Sequence, residues 1–114
     1  MEKVLWEGKP FNYGLPSFTA YKITDSRIIV EKGIFTKKRD EIRLYRIRDV
    51  STKRSLWERL FKMGDITVIS SDASHASFVL RNIKQAIHVS DILGAAVEES
   101  RIRHRAFEVA SVEV

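Results

Sequence analysis

Between residues 17 and 55 apolar and polar side chains alternate with a period of two, the pattern of strands that bury one face. Ser26 to Lys32 sets Ile28 and Val30 against Arg27, Ile29 and Glu31, and Lys37 to Leu44 sets Ile42 and Leu44 against Arg39, Glu41 and Arg43. Val50, Thr52 and Arg54 continue the alternation against Asp49, Ser51 and Lys53. The breaks fall at turn chemistry. Thr24-Asp25-Ser26 offers short polar side chains that bond to nearby backbone, and Gly33 can take positive φ between two strands. Pro10 to Pro16 holds both prolines and Gly14 and reads as a loop.

The period changes at Ser55. Ser55 and Glu58 stand in capping-box spacing, Leu56, Trp57, Leu60 and Phe61 fall on one face of a short helix, and Gly64 is suited to end it. Asp65 to Ser70 and Ala76 to Arg81 read as two further strands, joined by a polar linker from Ser70 to His75. Asn82 is expected to cap the last helix, with Gln85 in capping-box register. Its apolar stripe is Ile83, Ala86, Ile87, Leu93, Ala96 and Val97. Gly94 costs this helix about 1 kcal/mol relative to alanine, so close packing against a strand is expected there. Arg101, Arg103, His104 and Arg105 place positive charge near the C-terminus, where the helix dipole favours it. In the tail Phe107, Val109, Val112 and Val114 alternate, as in a strand that pairs with another chain or in a frayed end. The expected architecture is mainly β: a single domain over residues 1–105, with about seven antiparallel strands and a C-terminal helix, followed by a tail over 106–114.

Composition narrows the class. The chain has 114 residues, 44% hydrophobic and 31% charged, enough for one soluble domain. Its longest apolar stretch, Ile92 to Val97, is far too short to span a bilayer, and no basic-then-apolar leader opens it. Zero cysteines exclude a disulfide framework and a thiolate nucleophile, and the expected address is cytoplasmic, extending to the inner membrane face. Charge is uneven. Residues 27–62 carry twelve basic side chains against five acidic, whereas the flanking segments are balanced or slightly acidic. Adjacent strands would gather that excess into a surface felt by anionic partners, although solvated strand faces carry mixed charge for solubility alone.

Several segments together resemble the bacterial pleckstrin-homology-like domains of the YdbS-like type. They are Trp6-Glu7-Gly8-Lys9-Pro10, Tyr21-Lys22-Ile23-Thr24-Asp25-Ser26-Arg27-Ile28, Gly33, Ile42-Arg43-Leu44, Ile47-Arg48-Asp49-Val50, Gly64-Asp65-Ile66-Thr67-Val68 and Phe78-Val79-Leu80-Arg81-Asn82-Ile83-Lys84. The resemblance implies a PH-like barrel without catalytic residues. Members of the type often carry transmembrane helices before the domain, and some bacterial PH-like domains assemble into rings.

The candidate chemistry is that of binding. Lys32, Lys37, Lys38 and Arg39 surround the Gly33-Ile34-Phe35 turn, where cations could converge on one anionic headgroup or acidic partner, and the ordinary alternative is a solvated turn. Trp57 and Phe61, flanked by Arg54, Arg59 and Lys62, could anchor at a lipid interface, but such a face more commonly packs into a core or a subunit contact. Phe107 and Val109 are the interface candidates of the tail. His75, His88 and His104 lack metal-ligand spacing, and no nucleophile elbow or phosphate loop occurs, so neither metal, cofactor nor catalysis is expected. The basic strands lack the interleaved aromatics of a nucleic-acid platform, leaving that class disfavoured. The expectation is a non-catalytic binding or assembly module, self-associating, with a basic face from residues 32–54 turned to anionic membrane or an acidic protein and no small-molecule substrate. Homo-oligomerisation without lipid affinity is the alternative, and non-specific nucleic-acid binding a weaker one.

Overall fold

The structure, a computed structural model, describes residues 2–11, 17–71 and 76–112. Its strands are β1 (Val4–Gly8), β2 (Thr19–Thr24), β3 (Arg27–Lys32), β4 (Lys38–Arg43), β5 (Ile47–Lys53), β6 (Met63–Ser70) and β7 (Ser77–Lys84). A 3-10 turn, Leu44–Arg46, joins β4 to β5; helix α1 (Leu56–Leu60) joins β5 to β6, and α2 (Ala86–Val112) follows β7. The strands form two antiparallel sheets, β1-β2-β3-β4 and β5-β6-β7. This is the mainly β fold with a C-terminal helix that the periodicity predicts.

The alternation works as expected except at Ile29, which is buried although it stands on the parity of Arg27 and Glu31. Ile28 pairs with Ile42 and Val30 with Asp40, so one parity of β3 and β4 faces inward. Tyr21, Ile23, Ile28, Val30 and Ile42 meet Ile66, Val68, Leu80 and Ile83 of the second sheet in one core. The β2–β3 turn is built by Thr24, whose buried hydroxyl oxygen accepts from the backbone N–H of Ser26 (3.1 Å) and Arg27 (3.0 Å). Gly33 has φ +125°, and a Cβ there would overlap the Thr36 carbonyl oxygen.

Helix α2 covers the core with the buried side chains of Ala86, Val89, Leu93, Ala96, Val97 and Ser100. It packs chiefly on the 3-10 turn, β5 and β6. Several local expectations are corrected here. Asn82 does not cap α2: β7 continues to Lys84, and the helix starts after Gln85, whose carbonyl accepts from Val89 N–H at 3.0 Å. Asn82 and Gln85 have φ of 47° and 53°, a left-handed bend that asparagine tolerates well. Tertiary bonds hold it: Asn82 N–H donates to Asp65 Oδ1 (2.9 Å), and Gln85 N–H donates to the Lys62 carbonyl (2.6 Å). The stripe gains Val89, while Ile83 belongs to β7 and Ile87 is exposed.

Gly64 does not end α1. That helix stops at Leu60, Lys62 takes the left-handed φ of 57°, and Gly64 lies in β6, where a Cβ would crowd the Lys53 carbonyl and Ala86. Gly94 does not pack against a strand; a Cβ there would meet nothing within 4 Å. The tail is not a strand. Residues 106–112 continue α2, because adding residues to an established helix is far easier than nucleating a new element. The loop expected over 10–16 and the linker over 70–75, with His75, fall largely outside the described residues.

The two glycines generate opposite expectations. Gly94→Ala should raise unfolding free energy by about 0.5–1 kcal/mol, by removing backbone entropy from an open helical site. Gly33→Ala should lower it by about 1–3 kcal/mol, since the left-handed turn and the Thr36 carbonyl both oppose a side chain. Urea unfolding of both variants beside the parent measures the signs.

Candidate functional site

The β3–β4 hairpin sorts its basic residues by strand parity. Lys32 pairs directly with Lys38, on the parity of Val30, Asp40 and Ile42, whereas Arg39 pairs with Glu31 on the other. Arg39 is therefore engaged: its Nε lies 2.9 Å from Glu41, and its Nη1 3.8 Å from Glu31. Arg27 joins the same outer ladder, 2.7 Å from Glu41 and 3.1 Å from Glu2, and Lys22 lies 3.2 Å from Glu7. The hydrogen bond that Arg27 donates to Glu2, reinforced by the charges of Glu2 and Glu41, raises the Arg27 pKa above its ordinary value. These contacts largely neutralise the outer face of the four-stranded sheet.

The turn is different. Lys32, Lys37 and Lys38 are exposed and make no ion pair with a described carboxylate. Lys9, missed by the sequence reading because it is remote in the chain, joins them: a groove of about 350 Å³ is lined by Lys9, Phe18, Glu31, Lys32, Ile34 and Lys37. At the tip Phe35 is 100% exposed and Ile34 58% exposed. Antiparallel register explains the meeting, because the end of β1, the start of β2 and the β3–β4 turn share one end of the sheet. The basic residues of 32–54 do not form one continuous face. Lys38 and Arg43 stand at opposite ends of β4, and Lys53 and Arg54 lie beside α1.

Helix α1 departs from the commoner expectation of a core-packed face. Leu56, Trp57, Leu60 and Phe61 are 78%, 72%, 69% and 63% exposed. The reason is closure: α2 already covers the core, so α1 caps nothing. Beside α1 an apolar groove of about 460 Å³ is lined by Phe11, Phe61 and Met63, with Lys62, Lys84 and Gln85. The Lys84 ammonium sits 4.8 Å from the centre of the Phe11 ring.

A family model for the bacterial PH domain matches residues 10–97, from the loop after β1 into the middle of α2. The chain belongs to the bacterial PH domain family. No curated protein and no solved structure matches it. The match takes in β2 to β7, α1 and the first part of α2, and leaves out β1 and the projecting end of the helix.

That end of the PH domain's helix has few ties to the body. Arg101 donates to the Ile47 carbonyl and Arg103 to the Asp25 carbonyl. The His104 ring stacks on Tyr45 with centroids 3.8 Å apart, and its Nε2 lies 3.0 Å from Glu108. Beyond these, Ile102, Phe107 and Val109 are 60%, 73% and 53% exposed. His88 is exposed, and among the described residues no cluster of potential metal ligands occurs. No helix of the described residues is long and apolar enough to cross a membrane.

Phe107 and Val109 contribute little to the folded monomer on this geometry. The Phe107→Ser/Val109→Ser double variant should change unfolding free energy by less than about 0.5 kcal/mol, the usual range for exposed positions. Chemical denaturation at low protein concentration measures it.

Proposed function

We propose that this PH domain is a non-catalytic binding module whose β3–β4 turn engages an anionic membrane surface. The observation that carries the reading is the Lys32–Lys38 pair. Like charges directly opposite across two strands oppose folding, and here neither lysine makes an ion pair with a described carboxylate. An anionic headgroup beside the turn would relieve both, with Lys9 and Lys37 lining the same groove. Ile34 and Phe35 supply apolar tips that favour a lipid interface over a soluble anion. Arg39, held by Glu31 and Glu41, has a supporting role at most.

The test is co-sedimentation with neutral and anionic vesicles across a salt series. Wild type should sediment with anionic vesicles and lose binding as salt rises. Lys32→Ala/Lys37→Ala/Lys38→Ala should weaken partition roughly a hundredfold, at about 1 kcal/mol per lysine near an anionic surface. Arg39→Gln should change it only a few-fold. Failure of wild type to sediment at low salt would refute the membrane reading.

A second reading, self-association through the projecting end of α2, is favoured by the exposed Ile102, Phe107 and Val109. Light scattering of wild type and Phe107→Ser/Val109→Ser tests it: a multimeric mass that falls in the variant supports it, and a monomeric wild type refutes it.

A further inference from the structure

We propose that α1 is a second membrane contact, joined to the lysine turn by Lys9-Pro10-Phe11, so that the domain docks on an anionic bilayer through two apolar prongs. The inference rests on the membrane reading above and adds a surface outside the hairpin. Continuity is the first argument. Lys9 lines the groove at the hairpin, Phe11 lines the groove at α1, and with only Pro10 between them their Cα atoms are at most about 7 Å apart. Phe11 is fixed there: its N–H donates to the Asn82 carbonyl at 2.8 Å, and Lys84 sits over its ring. The apolar surface then passes through Phe61, which belongs to both the groove and the exposed face of α1.

Charge complementarity selects the occupant. Lys62 and Lys84 line the groove with Phe61, and Arg54 and Arg59 flank the apolar residues of α1 in the chain; Lys9, Lys32 and Lys37 line the groove with Ile34, and Lys38 opens the next strand. Apolar tips fringed by cations fit an anionic bilayer, whose headgroups meet the cations while the tips enter the acyl boundary. The indole of Trp57 suits that boundary, with an apolar body and one polar N–H.

The experiment follows indole emission of the full chain as phosphatidylglycerol/phosphatidylcholine vesicles are added, with Trp57→Phe as the subtraction control, since Trp6 is the other indole. A blue shift that is present in wild type and absent in Trp57→Phe supports insertion of α1. Trp57→Ser/Phe61→Ser and Phe35→Ser should then each weaken partition at least roughly tenfold, as expected for withdrawing a large apolar side chain from the interface. Sedimentation of wild type with an unchanged Trp57 signal and full partition of Trp57→Ser/Phe61→Ser overturns the second contact and leaves the lysine turn standing. Absence of sedimentation overturns both. A blue shift that appears without vesicles as protein concentration rises overturns the lipid assignment and places a second copy on α1.

Discussion

Two twisted sheets of four and three strands cannot dry their inner faces by themselves, and the fold depends on α2 to close the gap. Ala86, Val89, Leu93, Ala96 and Val97 supply the missing wall, against Leu44, Ile47 and the buried side of β6. The small residues in that stripe let the helix approach closely, while Leu93 fills the volume. The left-handed residues Asn82 and Gln85 aim the helix at the core rather than onward from β7. Backbone strain at that bend is held by Asp65 and the Lys62 carbonyl, so the end of β7, the end of α1 and the start of α2 form one junction.

Because α2 closes the core, α1 is left without a partner inside the domain. Its four large apolar side chains contribute little to folded stability and expose an apolar surface that soluble monomers seldom keep without use. The same division runs through the charges. Arg27 and Arg39 belong to an ion-pair ladder that secures the outer face of the sheet, whereas the lysines of the turn are left unpaired by described residues. Parity separates them: Lys38 and Arg39 are neighbours in sequence and lie on opposite sides of the strand.

The strands were legible because period-two alternation is a local signal, and Thr24 and Gly33 marked their turns through chemistry within three residues. What escaped the sequence is what depends on distant partners. Asn82 looks like a helix cap, yet Asp65 holds its N–H at 2.9 Å and keeps it in β7. Phe107 and Val109 look like a strand, yet the helix behind them sets their conformation. Gly94 suggested close packing, and only the placement of α2 shows its site to be open. At the candidate site the cluster at the turn was legible, but Lys9 joins it through sheet register, and Arg39 leaves it through pairing with Glu31 and Glu41. The face of α1 was readable from spacing, whereas its exposure depends on which element closes the core.

Magnitudes explain why the proposed membrane contact would need both charge and apolar surface. Four lysines near an anionic surface contribute about 4 kcal/mol, a millimolar association by itself and one that salt removes. A partly immersed aromatic side chain adds no more than about 1.5–3 kcal/mol, the range for full burial. Neither set alone would hold a 13.2 kDa domain at a surface, but in the proposed docking the two would act within one rigid body through Lys9 and Phe11, and the ordering cost would be met once. The folded state bears its own small penalties for this arrangement, in the opposed Lys32–Lys38 pair and the uncovered Trp57. On the proposed docking both would be relieved by the same event, so that contact with an anionic interface would release strain already present in the free domain.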